Sequence, residues 1–286
     1  MSLQLFRRAD LTTGQIADLD AAMAGYYQQP PTSYYQMADQ AADLYYPAAQ
    51  PFHCDLVGRV FPGATVLEAG CGTAHLCPQV ERRGGAYTGQ DHGERLLADN
   101  RRRFPNARFL PLGAPLAGPY DLVASLYTIE HIADPPAYLE FLWQQCRPGG
   151  LIGIICPEFI DSPGFAPSLY FGKTPRRLRE KLKTFSGGDL AGHLLDWKIR
   201  APRWKRRARA AAPGAFWINL RPSELHGATH GIDTDAVHMT RLQDLVWFFQ
   251  QKNARIVQTS TAMSGVTEEI RRFNCYVLVE KPVTRP

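Results

Sequence analysis

The ten residues Val66–His75 read VLEAGCGTAH, and they decide the fold. An apolar run reaches an acid, Glu68, and then enters a turn in which Gly70 and Gly72 flank Cys71 before a helical pattern begins. Glycines in such a turn let the backbone adopt torsions that other residues resist and let it approach a ligand closely. The unpaired N–H groups at the start of the next helix favour an anion or a polar group. The stretch therefore predicts a strand, a ligand-binding turn and a helix.

A dinucleotide-binding turn is the first alternative for this pattern. It would carry three glycines as GxGxxG, so that the backbone can seat a pyrophosphate. Here the run from Gly70 reads GCGTAH, so His75 stands in place of the third glycine. Glu68, two residues before the first glycine, adds an acid that the dinucleotide pattern does not require. The dinucleotide fingerprint therefore fails.

Strand-like and helical runs alternate on both sides of the turn. Strands are predicted at residues 65–68, 86–90, 108–111, 120–125, 151–156, 255–259 and 274–280. Helices are predicted at residues 75–83, 94–104, 136–146 and 240–253. The 151–156 run is almost wholly apolar, as expected for a strand covered on both faces. This alternation predicts an α/β fold with a Rossmann-like, doubly wound, seven-stranded and mostly parallel sheet.

Two segments lie outside this alternation of strands and helices. Residues 1–55 are expected to form an N-terminal helical cap, because Pro30-Pro31 separates two helical patterns with threonines at their starts. Residues 159–239 show no clear strand pattern, and an unstructured loop of that length is unusual, so they are expected to form an inserted lid. The sheet domain would then comprise residues 56–158 and 240–286.

Charge and composition narrow the class of protein. The net charge is +5, but thirteen Lys or Arg and three acids lie between Lys173 and Arg209, so that segment carries +10 and the rest −5. The six cysteines show no C-x-x-C spacing, which predicts neither a disulfide framework nor a metal site. The longest apolar run, 151–156, is too short to span a bilayer. We expect a cytoplasmic monomer or homodimer with no membrane span.

The VLEAGCGTAH run resembles motif I of the class I S-adenosylmethionine-dependent methyltransferases, whose pattern is E/D-x-G-x-G-x-G. Glu68, Gly70 and Gly72 match this pattern, and Ala74 replaces the third glycine. The resemblance implies that these residues and Cys71 bind S-adenosylmethionine. It covers roughly residues 60–158 by motif and 240–282 by architecture alone.

The resemblance continues at the ends of the later strands. It implies that Asp91 accepts hydrogen bonds from the ribose hydroxyls and that His92 lies against the adenine. Leu112 and Gly113 stand where the family usually has Gly-Asp-Ala; without that acid, backbone groups are expected to recognise the adenine.

The next stretch, 126–131, reads LYTIEH and looks like the family's LEH segment. It implies that Leu126 and Tyr127 contact the cofactor.

Histidines are the candidate catalytic residues, because imidazole is the usual proton acceptor near neutral pH. His131 follows the fourth strand by one turn. The other candidates, His226, His230 and His238, lie in the run HGATHGIDTDAVH. The same run contains Asp233 and Asp235 as candidate substrate ligands.

Aromatic residues are the remaining candidates for binding the substrate. Family members commonly cover the cofactor with an N-terminal helix, which implies contacts from Tyr34 and Tyr35, although packing explains such residues equally well. The apolar run 216–220 is interpreted as a buried strand or the start of a helix, and its Trp217 is a weaker candidate for lining an acceptor pocket.

The sequence leaves the methyl acceptor open. The favoured hypothesis is a small molecule, such as a sugar or a natural product, methylated on oxygen or nitrogen with the help of a histidine. The alternative is a nucleic acid bound by the basic insertion, where Trp197 and Trp204 lie among the cations. A non-catalytic protein that binds S-adenosylmethionine is the third hypothesis.

Overall fold

The computed structural model of the protein describes residues 3–44, 49–184, 187–227 and 230–283, without the side chains of residues 39–44. In chain order, the strands are β1 (Leu5–Arg7), β2 (Thr65–Ala69), β3 (Ala86–Asp91), β4 (Arg108–Pro111), β5 (Tyr120–Leu126), β6 (Cys146–Pro157), β7 (Trp217–Asn219), β8 (His238–Met239), β9 (Arg255–Thr259) and β10 (Asn274–Glu280). The α-helices are α1 (Thr13–Gln28), α2 (Thr32–Leu44), α3 (Gln50–Gly58), α4 (Cys77–Arg82), α5 (Glu94–Arg103), α6 (Pro135–Gln145), α7 (Leu178–Thr184), α8 (Gly187–Leu195), α9 (Ala201–Ala210), α10 (Leu242–Gln251) and α11 (Glu268–Phe273).

Seven strands form one sheet in the order β4-β3-β2-β5-β6-β10-β9. The first five strands run parallel to one another, and β10 runs antiparallel to both β6 and β9. This arrangement confirms the predicted Rossmann-like fold with a mostly parallel sheet. The carboxyl ends of β2, β3 and β5 lie at one edge, where ligands bind in open α/β sheets.

Two apolar cores cover the two faces of the sheet. On one face, Phe52 and Leu56 of α3 pack with Leu97 of α5 and Tyr276 of β10. Leu139 and Leu142 of α6 and Leu245 and Phe249 of α10 form the core on the other. The sheet is therefore doubly wound, as predicted.

Helix α3 has no counterpart in the sequence prediction. It crosses residue 55, where the cap was expected to end, and its Phe52 ring stacks on Tyr276 at 5.1 Å between ring centroids. Helix α3 therefore packs with the sheet rather than with α1.

The N-terminal helices begin where the threonines predicted. Thr12 caps α1 in a capping box: its hydroxyl accepts from the Gln15 N–H at 3.2 Å, and the Gln15 side chain accepts from the Thr12 N–H at 3.0 Å. Helix α2 begins at Thr32, directly after Pro31. Ile16, Leu19 and Met23 form the buried stripe of α1.

The insertion contributes two short strands to a second, smaller sheet. Strand β7 pairs antiparallel with β1 near the N-terminus and with β8 at the end of the insertion. Trp217–Asn219 lies within the apolar run 216–220 that was interpreted as a buried strand or a helix start. Strands of two or three residues are too short for alternation to reveal them. This small sheet joins the N-terminal segment to the insertion.

Three cations of the basic segment help to hold the insertion together. The buried Lys181 ammonium donates to the Phe171 carbonyl and lies 3.2 Å from Asp189. Lys205 donates to the Gly164 carbonyl, and the Arg209 guanidinium reaches the Ile160 carbonyl at 2.9 Å.

Within the described ranges, no helix is long and apolar enough to cross a bilayer.

Candidate active site

A cavity of about 670 Å³ lies at the carboxyl ends of β2, β3 and β5. Its floor is the glycine turn after β2, its roof comes from α1 and α2, and the loop 230–235 of the insertion closes one side. Both the cap and the insertion therefore contribute to one enclosed space above the sheet.

The two glycines of the turn are favoured for different physical reasons. Gly70 has φ +74°, and a Cβ there would collide with the side chain of Thr128, whose hydroxyl donates to the Gly70 carbonyl at 3.2 Å. Gly72 has φ +48° and no atom within 4 Å of the Cβ position. Packing against Thr128 excludes a side chain at the first glycine, whereas the left-handed torsion favours glycine at the second and the space beside it is open.

Ala74 stands where the resemblance places a third glycine. Its φ is +56°, in the left-handed region, and its side chain is fully buried. An L-residue in this region costs roughly 1–2 kcal/mol relative to glycine, which a single buried position can sustain. The motif therefore keeps its backbone shape although the glycine is absent.

Asp91 ties the turn to the end of β3. Its two carboxylate oxygens accept from the N–H groups of Gly72 and Gly93, each at 2.8 Å. Burial raises the pKa of Asp91, whereas these two hydrogen bonds act in the opposite direction. The carboxylate also faces the cavity, so one side chain both shapes the turn and is available to a ligand.

Glu68 is almost completely buried at the end of β2 and accepts a hydrogen bond from the Tyr87 hydroxyl. Burial raises the pKa of Glu68 to about 8, although the bond from Tyr87 opposes the rise. At neutral pH this carboxyl is therefore mostly protonated.

The predicted cofactor residues all lie at this cavity. They are Glu68, Gly70, Cys71, Gly72, Asp91, His92, Leu112, Gly113, Leu126 and Tyr127. They come from the ends of four neighbouring strands, and together they form a continuous wall from the glycine turn to the loop after β4.

A cluster of acids around one histidine forms the opposite end of the cavity. The His131 ring lies between two carboxylates: its Nε2 is 3.8 Å from Glu130 Oε1 and its Nδ1 is 3.4 Å from Asp235 Oδ1. Glu130 is completely buried, and neither of its carboxylate oxygens has a hydrogen-bond partner. Burial, reinforced by the charge of Asp235, raises the pKa of the neighbouring Asp233 to about 7. We call Glu130, His131, Asp233 and Asp235 the acid cluster.

Tyrosines of the cap hold this end of the cavity in place. The Tyr27 hydroxyl donates to Asp235 Oδ2 at 2.6 Å, and its ring lies edge-on to His131 at 6.0 Å between centroids. The Tyr26 hydroxyl is 2.7 Å from His230 Nδ1, and the Tyr34 ring lies edge-on to His230 at 5.3 Å. Of the residues predicted to contact substrate, Tyr34, Asp233 and Asp235 line the cavity, as do the candidate bases His131 and His230.

Two predicted histidines lie elsewhere. His238 is completely buried in β8, with its Nδ1 3.2 Å from the Ile129 carbonyl, and burial lowers its pKa to about 3. His226 is exposed on the surface, 6.0 Å from the Tyr170 ring between centroids. Neither position supports a role as the base.

Two predicted aromatic contacts are also away from the cavity. Trp217 packs edge-on against Trp204 in the core of the insertion. Tyr35 lies under the guanidinium of Arg95, 4.0 Å from the ring centroid, and does not line the cavity.

Some residues that line the cavity were not predicted from the sequence. They include Tyr27, Gln90, Thr128, Glu130 and Tyr138. Glu130 carried the clearest signal, because it stands beside His131 in the LYTIEH stretch.

The cavity wall contains several acids but no Lys or Arg in the part of the chain that the structure describes. Its acids are Asp20, Glu68, Asp91, Glu130, Asp233 and Asp235. Glu130, His131 and Asp233 each offer a ligand atom, and these atoms lie within 4.8 Å of one another. The sequence predicted no metal site, whereas this geometry is able to accept a cation.

The pKa of Glu68 yields a prediction for stability. The folded-state pKa of about 8 exceeds the ordinary value of 4.5. Between these two pH values the folded protein therefore binds more protons than the unfolded chain does, and its free energy of unfolding decreases as the pH rises. Glu68→Gln should remove this contribution, a difference in slope of at most ~1.4 kcal/mol per pH unit. Urea unfolding between these pH values measures it. The exposed Glu94→Gln is the control, and identical slopes for Glu68→Gln and wild type would contradict the assignment.

Comparison with known proteins identifies the family. A family described as "Methyltransferase domain" matches residues 48–259. A ubiquinone biosynthesis O-methyltransferase from Psychrobacter cryohalolentis is 30% identical over 100 residues, which are 31% of this chain and 39% of that protein. A trans-aconitate 2-methyltransferase from Deinococcus radiodurans is 33% identical over 104 residues, which are 35% of this chain and 40% of that protein. Each match thus spans about two fifths of the relative's length.

A solved structure shows the same fold over most of the chain. The 1,6-didemethyltoxoflavin-N1-methyltransferase from Burkholderia thailandensis, crystallised with 1,6-didemethyltoxoflavin and S-adenosylhomocysteine, superposes with a TM-score of 0.53 at 13% identity, covering 95% of this chain and 91% of that one. Together with the family match, which covers most of the chain, the ordered motif residues at the cavity lead to one conclusion: the chain belongs to the methyltransferase-domain family and has the Rossmann-like fold of its class I members.

Proposed function

We propose that the protein methylates a hydroxyl or amine of a small acceptor, such as a sugar or a natural product, in the cytoplasm. One observation carries the proposal: a single cavity joins the glycine turn, at which the cofactor would bind, to the acid cluster. All six cysteines are free, which supports a reducing compartment.

The cofactor would lie along the wall formed by the strand ends. Asp91 would accept hydrogen bonds from the ribose hydroxyls, and the open space beside Gly72 would admit the ligand close to the backbone. Bound in this way, the cofactor would direct its methyl group toward the loop after β5, where the acid cluster begins.

The acid cluster would receive the reacting group of the acceptor. The sulfonium methyl is already a strong electrophile, so the enzyme chiefly aligns the nucleophile with it. A hydroxyl must also lose its proton, and His131, which lies between two carboxylates at this end of the cavity, would accept it. Asp235, itself held by Tyr27, would orient the imidazole.

The lack of cationic side chains in the described part of the wall restricts the acceptor. A carboxylate or phosphate would find no Lys or Arg among these residues to pair with. A neutral acceptor needs no such partner. This favours an uncharged acceptor such as a phenol or a sugar over a polyanion, and it sets the chain apart from its trans-aconitate relative.

A nucleic-acid acceptor has less support. Lys181, Lys205 and Arg209 of the basic segment already bind carbonyl groups within the insertion. The described wall of the cavity also offers no Lys or Arg to pair with a phosphate backbone.

Replacing Asp91 tests the cofactor half of the proposal. Asp91→Ala should weaken S-adenosylhomocysteine binding at least about tenfold, because hydrogen bonds to a charged group contribute about 1.5–3 kcal/mol. Calorimetric titration measures the affinity. Asp99→Ala, which removes an acid from the exposed surface of α5, is the matched control. Equal affinities for Asp91→Ala and wild type would overturn the placement of the cofactor.

Replacing His131 tests the acceptor half. His131→Ala should lower kcat by roughly 100-fold or more while S-adenosylhomocysteine affinity changes little, since proton transfer typically contributes about 10²–10⁴. The exposed His226→Ala should leave both quantities unchanged. Parallel losses of kcat and of cofactor affinity in His131→Ala would instead indicate a structural role.

The charge of the acceptor yields a third test. In an assay with radiolabelled S-adenosylmethionine, turnover should be found among neutral phenols, catechols and sugars, and trans-aconitate should give none above background. Turnover of trans-aconitate above that of every neutral acceptor would refute the electrostatic argument.

A further inference from the structure

We propose that α7, α8 and the π-helical turn Asp196–Arg200 that follows α8 form a docking surface for a membrane that contains anionic lipids. The helices would lie in the plane of the interface, with apolar side chains among the lipid tails and cations at the headgroups. We call residues 178–184 and 187–200 the docking face. The inference goes beyond the proposed function and does not depend on which acceptor the enzyme methylates.

The docking face concentrates exposed apolar side chains. Among the residues that the structure describes, eleven large hydrophobic side chains are exposed, and five of them belong to this face. They are Leu182, Leu194, Leu195, Trp197 and Ile199, with exposures between 37% and 52%. Single exposed apolar residues are ordinary, whereas such a concentration within one short segment marks a surface that binds a partner.

Helix α8 and the turn after it have the reverse polarity of an ordinary surface helix, which buries its apolar side and exposes its polar side. The buried positions include Asp189, His193 and Asp196, at spacings that place them on one side of the helix. Leu195 and Ile199, one turn apart, are exposed instead. The polar side of this helix therefore faces the protein, and an apolar side faces outward.

Hydrogen bonds hold the polar side inward. The Asp189 carboxylate accepts from the Thr174 hydroxyl at 2.6 Å and lies 3.2 Å from the Lys181 ammonium. The Asp196 carboxylate accepts from the Gly172 N–H at 2.8 Å. Rotating the helix to bury its leucines would break these bonds and leave the acids without partners, which is costly. The apolar side consequently stays available to a partner.

The charge around the docking face selects an anionic partner. Ten of the thirteen Lys and Arg between residues 173 and 209 are exposed, whereas Glu180 is the one exposed acid among the three in that segment. On α7, the exposed Arg179 and Lys183 flank the exposed Leu182. Cations beside apolar side chains match a surface in which anionic headgroups lie above lipid tails.

These features favour a membrane over the other two classes of partner. A nucleic acid would pair with the cations through its phosphates, but it offers no apolar phase for Leu194, Leu195 and Ile199. A second copy bound through the same face would bring the two sets of cations together, and like charges repel. The Trp197 ring, with the Lys198 ammonium 3.8 Å from its centroid, is of the type enriched at the boundary between lipid and water.

Flotation with lipid vesicles tests the docking face on the full chain. The wild type should bind vesicles of equal parts phosphatidylcholine and phosphatidylglycerol at least about tenfold more tightly than vesicles of phosphatidylcholine alone. Leu195→Ser combined with Ile199→Ser should weaken binding to the anionic vesicles at least about tenfold, because less apolar surface enters the interface. Phe61→Ser combined with Phe273→Ser, which alters two exposed apolar residues outside the docking face, is the matched control.

A charge reversal tests the cations separately. Arg179→Glu combined with Lys183→Glu should also weaken binding to the anionic vesicles at least about tenfold, since cations near the surface attract anionic lipid. Arg82→Glu combined with Arg83→Glu, which reverses two exposed cations at the end of α4, should bind like the wild type. All the altered positions are exposed, so each variant should keep the unfolding temperature of the wild type.

Absence of wild-type binding to the anionic vesicles would overturn the inference, as would equal binding by the wild type and both docking-face variants. In sedimentation equilibrium, a dimer that Leu195→Ser combined with Ile199→Ser dissociates would assign the face to a second copy and refute the membrane. Tighter binding to a single-stranded RNA oligonucleotide than to the anionic vesicles, lost in Arg179→Glu combined with Lys183→Glu, would assign the cations to nucleic acid and refute it as well.

Discussion

The two hydrogen bonds from Gly72 and Gly93 to the Asp91 carboxylate are the constraint on which the site depends. They join the turn after β2 to the turn after β3, so the spacing of these two strand ends is set by a side chain that also faces the cavity. Thr128 adds a third strand end, because its hydroxyl binds the Gly70 carbonyl. One small network thus positions the whole cofactor wall.

The second half of the cavity depends on pairing between distant parts of the chain. Strand β7 of the insertion pairs with β1 near the N-terminus, and β8 continues from the loop that carries Asp233 and Asp235. The Arg8 guanidinium reaches Asp134 at 2.6 Å, at the start of α6. Cap, insertion and sheet therefore support one another, and none of them alone would enclose the acceptor space.

Sequence reasoning succeeded where the physical requirement is local. The glycines at 70 and 72 and the apolar strands follow from backbone torsion or burial within a few residues, whereas Asp91 was identified by the resemblance to the methyltransferase motifs. It could not distinguish His131 from His238, because only tertiary pairing decides which imidazole faces the cavity. Strand β1 and helix α3 were missed because three and nine residues give too little periodicity.

The central claim is that this chain carries a methyl group from S-adenosylmethionine to a small molecule. The most direct measurement incubates the protein and tritiated S-adenosylmethionine with an extract of cells that lack this protein, followed by separation into small molecules, nucleic acid and protein. We predict that tritium enters the small-molecule fraction and that this incorporation is lost in His131→Ala. Tritium found only in nucleic acid or protein, or in no fraction at all, would contradict the account.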